Sequence, residues 1–218
     1  ISSPVIVKIG KGLMLFALKL RLPVSFIVKR TIFKQFCGGE TIKECYPTIK
    51  ALGSQGVGTI LDYSVEGKTQ EDDFDRTTEI IIDTIKKAYD EKNIPFAVFK
   101  ITGISKFSLL EKASQKENKL NEDEAEELAK IEARILKICT VAYELGVPVF
   151  IDAEESWIQD IIDTWAFQMM CLFNTKQTIV YNTIQMYRHD RLAFLKSCHK
   201  QAKDEGVNYG IKLVRGAY

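Results

Sequence analysis

Five short apolar runs, each closing on polar or charged residues, recur along this chain and leave it few folds to choose from. They are 58–63 (GTILDY), 95–103 (PFAVFKITG), 147–154 (VPVFIDAE), 178–187 (TIVYNTIQMY) and 209–218 (YGIKLVRGAY). Continuous runs of this length and composition suit strands buried on both faces, as in parallel sheets. Helical patterns separate them. The stretch 73–92 carries Phe74, Ile81, Ile85 and Ala88 at helical spacing. Asn121, with Glu124 three residues on, reads as an N-cap. The helix it opens runs through Leu128, Ile131, Ile135 and Ile138 to Leu145, where Gly146 supplies a stop. Further helical patterns fill 156–173 and 190–205, the second closed by Gly206. The order βαβαβαβαβ predicts a parallel α/β fold.

Two parallel architectures compete. A doubly wound dinucleotide-binding sheet needs a glycine-rich phosphate turn after its first strand. Here the chain reads SVEGKTQEDD, which is acidic and holds one glycine. A (β/α)8 barrel places its chemistry at the C-terminal ends of several strands. Asp62, Lys100, Asp152, Glu154, Gln185, Lys212 and Arg215 all sit at such ends, so the pattern favours the barrel. A full barrel takes about 250 residues and eight strands. The expectation is therefore a TIM-like barrel cut after its fifth strand, residues 58–218, preceded by a helical arm over residues 1–57.

Composition narrows the function classes. Hydrophobic residues make up 46% and charged residues 27%, the balance of a globular domain. A formal net charge of +1 gives no field to recruit nucleic acid. Cys37, Cys45, Cys139, Cys171 and Cys198 are odd in number and form no C-x-x-C pair, which argues for reduced thiols in the cytoplasm. Two histidines, His189 and His199, are too few for a multi-histidine metal site, and no metal is expected. The apolar stretches 12–18 and 22–28 are each too short to span a bilayer. They read as an apolar arm packed on the domain, with a membrane- or partner-facing surface as the alternative.

The strand ends carry the chemistry. A lysine after an apolar strand is costly unless paired or bound to a ligand. Lys100 therefore reads either as a partner of Asp62 or Asp152, or as an ammonium aimed at a carboxylate or phosphate. Asp152 and Glu154, two apart on a strand, are expected on one face. That pair suggests a metal site, an acid–base pair or recognition of a cation. Lys212 beside Gly216 suits an anionic or electron-rich cofactor, because glycine lets the backbone approach a ligand closely. Gln185 and Tyr187 add an amide and a phenol suited to the edge of a planar ring. From these residues alone the reading stops at a barrel enzyme.

Taken together, the segments TILDYSVEG (59–67), FAVFKITG (96–103), VFIDAEES (149–156), IVYNTIQMYRHD (179–190) and KLVRGAY (212–218) resemble the proline dehydrogenase family. The resemblance implies a (β/α)8 flavoenzyme that oxidises L-proline to Δ1-pyrroline-5-carboxylate. It would do so by hydride transfer from proline C5 to FAD N5, with electrons passed to a membrane quinone. It implies roles as well. Lys100 would bind the proline carboxylate, and Asp152 would order the ion pairs beside substrate and flavin. Ala153, Val214 and Gly216 would offer main-chain contacts to the flavin, and Gln185 would bond its pyrimidine end. Lys212 stands where bacterial bifunctional relatives have arginine near N5. Tyr218 would line the proline pocket, and Glu66 would be an acidic gate residue. The catalytic set so implied is Lys100, Asp152 and Lys212. The family's late arginine pair and FAD-tail strands lie in none of these segments, so the 218 residues alone are expected not to catalyse. Location follows as cytoplasmic, with peripheral contact at the inner face of a bacterial plasma membrane for the full-length enzyme. The rivals are a hydroxyproline dehydrogenase, a non-catalytic α/β binding module, and a phosphate-binding or metal-dependent barrel.

Overall fold

A computed structural model describes residues 4–20, 31, 33, 37–63, 69–115 and 119–216. The chain divides into two compact units, Ile1–Thr48 and Ile49–Tyr218. The first contains helix α1 (Pro4–Lys19) and the start of α2 (Ile42–Gly53), a helix that crosses the division. No helix among the described residues is long and apolar enough to cross a membrane.

The second unit is a parallel sheet with intervening helices. In chain order it runs β1 (Ile60–Leu61), α3 (Glu71–Asp90), β2 (Phe96–Phe99), a 3₁₀ turn (Ile101–Gly103) and α4 (Phe107–Ser114). There follow α5 (Glu122–Leu145), β3 (Val149–Ile151), α6 (Gln159–Phe173), β4 (Val180–Gln185), α7 (Arg191–Asp204) and β5 (Gly210–Val214). The strands lie in the order β1-β2-β3-β4-β5, each parallel to its neighbour. A doubly wound sheet reverses its strand order at a switch point. This order never reverses, which is how the wall of a (β/α)8 barrel is laid down. The expected α/β, TIM-like architecture is what the chain forms.

Local chemistry explains the elements. Asn121 accepts from the Glu124 N–H at 2.8 Å, and Glu124 accepts from the Asn121 N–H at 2.8 Å, so α5 opens on a complete capping box. Gly146 ends it with φ +66°. Three acidic residues in the first turn of α3 complement the helix dipole. Phe74, Ile81, Ile82 and Ile85 then bury one face of that helix. Arg134 of α5, with its side chain 8% exposed, reaches Glu71 and Asp75 of α3 and ties the two helices together.

The two faces of the sheet differ. Ala97, Val149, Ile151, Val180 and Ile184 are fully buried. On the opposite face Phe96 stacks on Phe150 at 4.5 Å, and Phe150 meets Tyr181 edge-on at 5.4 Å. Tyr181 pairs in register with Gly210, where a Cβ would stand 2.4 Å from the Val180 carbonyl. Only glycine lets β5 dock there.

The strands are shorter than the apolar runs. β3 stops at Ile151 and β2 at Phe99, so Asp152, Glu154 and Lys100 lie beyond the ladder rather than within it. Residues 101–103, read as strand from sequence, form the 3₁₀ turn, and α4 was not foreseen.

Candidate functional site

The parity of the strands decides which side chains meet. Phe150, Thr183 and Lys212 share the face opposite the buried Ile151 and Ile184, and the register sets Thr183 directly beside Lys212. One ladder bond continues past β3, where the Asp152 N–H donates to the Phe99 carbonyl at 2.9 Å and fixes Asp152 at the rim. From there its carboxylate spans β4. Oδ1 accepts from Thr183 Oγ1 at 3.2 Å and from Lys212 Nζ at 2.6 Å. The Lys212 ammonium also lies 5.3 Å from the centre of the Phe150 ring. The pair is half-buried, with side-chain exposures of 31% and 22%. At such exposure an ion pair orients groups more than it stabilises a fold.

A second carboxylate goes elsewhere. Glu154 was expected to share the face of Asp152. Because the strand ends three residues earlier, alternation no longer governs it, and it takes separate partners. Its Oε1 accepts from the Thr102 N–H at 3.0 Å, and its Oε2 accepts from the Thr102 hydroxyl. Its carbonyl accepts from Gln185 Nε2 at 2.6 Å, and its N–H donates to Gln159 Oε1 at 2.9 Å. Burial pushes the Glu154 carboxyl above its ordinary range, against the opposing pull of Thr102 and of the Lys100 charge.

The other sequence-predicted residues fall around these two centres. Lys100 stands at the C-terminal end of β2, immediately before the 3₁₀ turn, and its charge acts on Glu154. Gln185 closes β4 and is 5% exposed, and its Oε1 accepts from Arg188 at 3.3 Å. Ala153 lies between the two carboxylates, partly buried. Val214 closes β5, and two residues on Gly216 adopts φ +88°, backbone that a side chain would strain. Glu66 and Tyr218 lie outside the described residues.

Sequence reasoning did not single out Thr102, Thr183, Gln159, Asp163 or Arg191. Thr183 was within reach, because it stands two before Gln185 on one strand. The rest had no signal in spacing. Gln159 passes the contact inward by donating to Asp163 Oδ1 at 2.9 Å, and Asn182 donates to the same oxygen at 2.8 Å. Arg191, 2% exposed, pairs with the other oxygen of Asp163. A buried polar network thus runs from the rim into the helical layer. Among the described residues, surface grooves run between α3 and α5, between α5 and α6 and between α6 and α7.

Chemically, the rim offers a cation held by a carboxylate, a hydroxyl, an amide and a glycine that admits close backbone approach. That donor set suits the edge of a planar, electron-rich heterocycle. Lys100 adds a second cation at the end of β2, the strand beside β3, fit for a small carboxylate.

Comparisons with known proteins match most of the chain. A family model described as proline dehydrogenase matches residues 45–218. A carbapenem antibiotics biosynthesis protein, CarD, from Pectobacterium carotovorum subsp. carotovorum is 32% identical over 84% of this chain and 48% of its own. The mitochondrial proline dehydrogenase 1 of Dictyostelium discoideum is 31% identical over 92% of this chain and 42% of its own. The chain thus spans about half the length of these curated relatives or less. A solved structure of proline utilization A from Bdellovibrio bacteriovorus, inactivated by N-propargylglycine, matches with a TM-score of 0.69. The match covers 85% of this chain and 20% of that one at 20% identity, and so speaks for the fold.

Proposed function

Because this chain belongs to the proline dehydrogenase family, we propose that the whole protein carrying it oxidises L-proline to Δ1-pyrroline-5-carboxylate with FAD as the acceptor. The observation that carries the reading is the Asp152–Lys212 pair at the C-terminal strand ends, 2.6 Å apart with Thr183 beside it. The donor set at the rim fits a flavin. Lys212 and Gln185 would face its ring edges, and Ala153, Val214 and Gly216 would lend main chain. When bound, FAD supplies the acceptor for the hydride that leaves proline C5.

The residues of the chain do the positioning and the electrostatics. Lys212 places a fixed positive charge where negative charge develops, and Asp152 holds that ammonium in place. Lysine delivers the charge as a point rather than as a planar fork. Lys100 anchors the proline carboxylate, so that the ring presents C5 in one orientation. Glu66 and Tyr218 complete the proposal as gate and pocket residues. A membrane quinone is proposed as the final acceptor, reached by peripheral contact with the membrane's inner face.

Anaerobic addition of L-proline to the purified whole protein tests the reading. Loss of the visible flavin absorbance is expected, with trans-4-hydroxy-L-proline clearly slower. A protein that bleaches only with hydroxyproline would reassign the substrate, and one without flavin would remove the proposal.

A further inference from the structure

Thr102 and Glu154 stand 52 positions apart in sequence, yet they form the most fully engaged contact at the rim. The loop after β2 carries Lys100 and Thr102, and the loop after β3 carries Asp152 and Glu154. Between them runs a two-point bond, Thr102 N–H to Oε1 at 3.0 Å and the Thr102 hydroxyl to Oε2. Thr102 is 8% exposed. The main chain of Glu154 is also fixed on both sides, by Gln185 at its carbonyl and Gln159 at its N–H. Gln159 is fully buried and is itself held by Asp163. The four polar atoms of Glu154 therefore answer to three elements: the turn after β2, strand β4 and helix α6.

We propose that the Thr102–Glu154 bond is a positioning device that fixes the distance and angle between Lys100 and the Asp152–Lys212 pair. The inference rests on the proposed function, in which Lys100 takes the substrate carboxylate and the pair faces the reacting ring. Lys100 lies two residues before Thr102, and Asp152 two residues before Glu154. A shift of one loop against the other therefore moves the anchor relative to the chemistry. Misplacement of about 1 Å costs up to ~100-fold in rate when reacting atoms must align. The bond touches neither substrate nor cofactor in this account and acts through the two loops it joins.

The test uses the whole protein with its flavin. Thr102→Val keeps the shape and the backbone N–H but removes the hydroxyl, and Thr102→Ser restores it. Glu154→Ala removes both bonds, whereas Glu154→Gln keeps one acceptor and one donor toward Thr102. Two readouts are taken. One is kcat and KM for L-proline. The other is the dissociation constant of cyclopentanecarboxylate, which keeps ring and carboxylate but lacks the amine, read from the visible band of the oxidised flavin. Thr102→Val and Glu154→Ala are expected to raise KM and the dissociation constant about tenfold, with kcat falling less. Thr102→Ser and Glu154→Gln are expected to stay within about threefold of the parent. Thr102→Val and Glu154→Ala both leaving KM and the dissociation constant unchanged would overturn the inference. So would Thr102→Ser behaving as Thr102→Val does, or losses confined to thermal stability. If L-proline fails to bleach the parent's flavin, the proposed function fails first and this inference falls with it. If the parent bleaches and the variants match it, the inference alone fails.

Discussion

Asn174, at the C-terminal end of α6, offers the sharpest test of how the β4–β5 half of the sheet is held. It is fully buried, and its amide satisfies four backbone groups. Nδ2 donates to the Val180 carbonyl at 2.8 Å and to the Asn208 carbonyl at 2.9 Å. Oδ1 accepts from the Ile179 and Val180 N–H groups, each at 2.9 Å. One side chain thus pins the start of β4 and the approach to β5. Asn174→Ala strands two buried donors and the buried Val180 carbonyl, and frees the carbonyl of the exposed Asn208. A buried group left without a partner costs about 1–3 kcal/mol. The two N–H groups alone set a loss of about 2–6 kcal/mol, because an unpaired N–H is tolerated less well than an unpaired C=O. At roughly 2–4 °C per kcal/mol for a chain of this size, the melting temperature should fall by about 4–24 °C. Urea denaturation followed by circular dichroism reads the difference. Asn174→Asp keeps both accepted bonds and loses both donated ones, so it should also destabilise, with a carboxylate facing two carbonyls. A loss under about 1 kcal/mol for Asn174→Ala would refute the reasoning, since the four bonds would then be replaceable by water.

Other outcomes follow from the same geometry. In the whole protein, Lys212→Met is expected to slow flavin reduction by L-proline about 100-fold, the scale of losing one charge-stabilising group. Lys212→Arg should recover most of that loss, and stopped-flow absorbance reads both. Gly210→Ala places a Cβ against the Val180 carbonyl and should destabilise the chain by about 1–3 kcal/mol in thermal unfolding. An unchanged Gly210→Ala would mean that β5 docks less tightly than its register implies. Burial raises the Glu154 carboxyl above its unfolded value, so its stabilising contribution is full in acid and is lost as pH rises through the folded value. Glu154→Gln lacks that loss and should gain stability relative to the parent as pH rises above the ordinary glutamate value of about 4.3. Parallel urea midpoints above that value would contradict the sign.

How much could be read from the amino acids varies with the range of the interaction. The parallel α/β class came from the alternation of β-rich runs with helical patterns, and the barrel order from the missing glycine-rich turn and the polar strand ends. The ends of α5 were legible because Asn121, Glu124 and Gly146 act within a few residues of one another. The rim was legible only as an inventory. Asp152 and Lys212 could be named, but their pairing across β4 needs the register, which no local pattern carries. Alternation could not place Glu154, because period two holds only while the ladder continues, and β3 ends at Ile151. The partnership of Thr102 with Glu154 and the four bonds of Asn174 depend on where loops meet after folding. A lone threonine or asparagine gives no warning of that. α4 escaped because its eight residues are too few to show a period clearly.

In the proposed function, the carboxylate-held lysine at the strand ends serves a flavin that takes a hydride from L-proline. The direct measurement is the visible absorbance of the purified whole protein, taken anaerobically before and after L-proline. A yellow protein is expected, bleaching with one equivalent of Δ1-pyrroline-5-carboxylate formed per flavin and far more slowly as Lys212→Met. A colourless protein, or a yellow one that L-proline leaves unchanged, would contradict it.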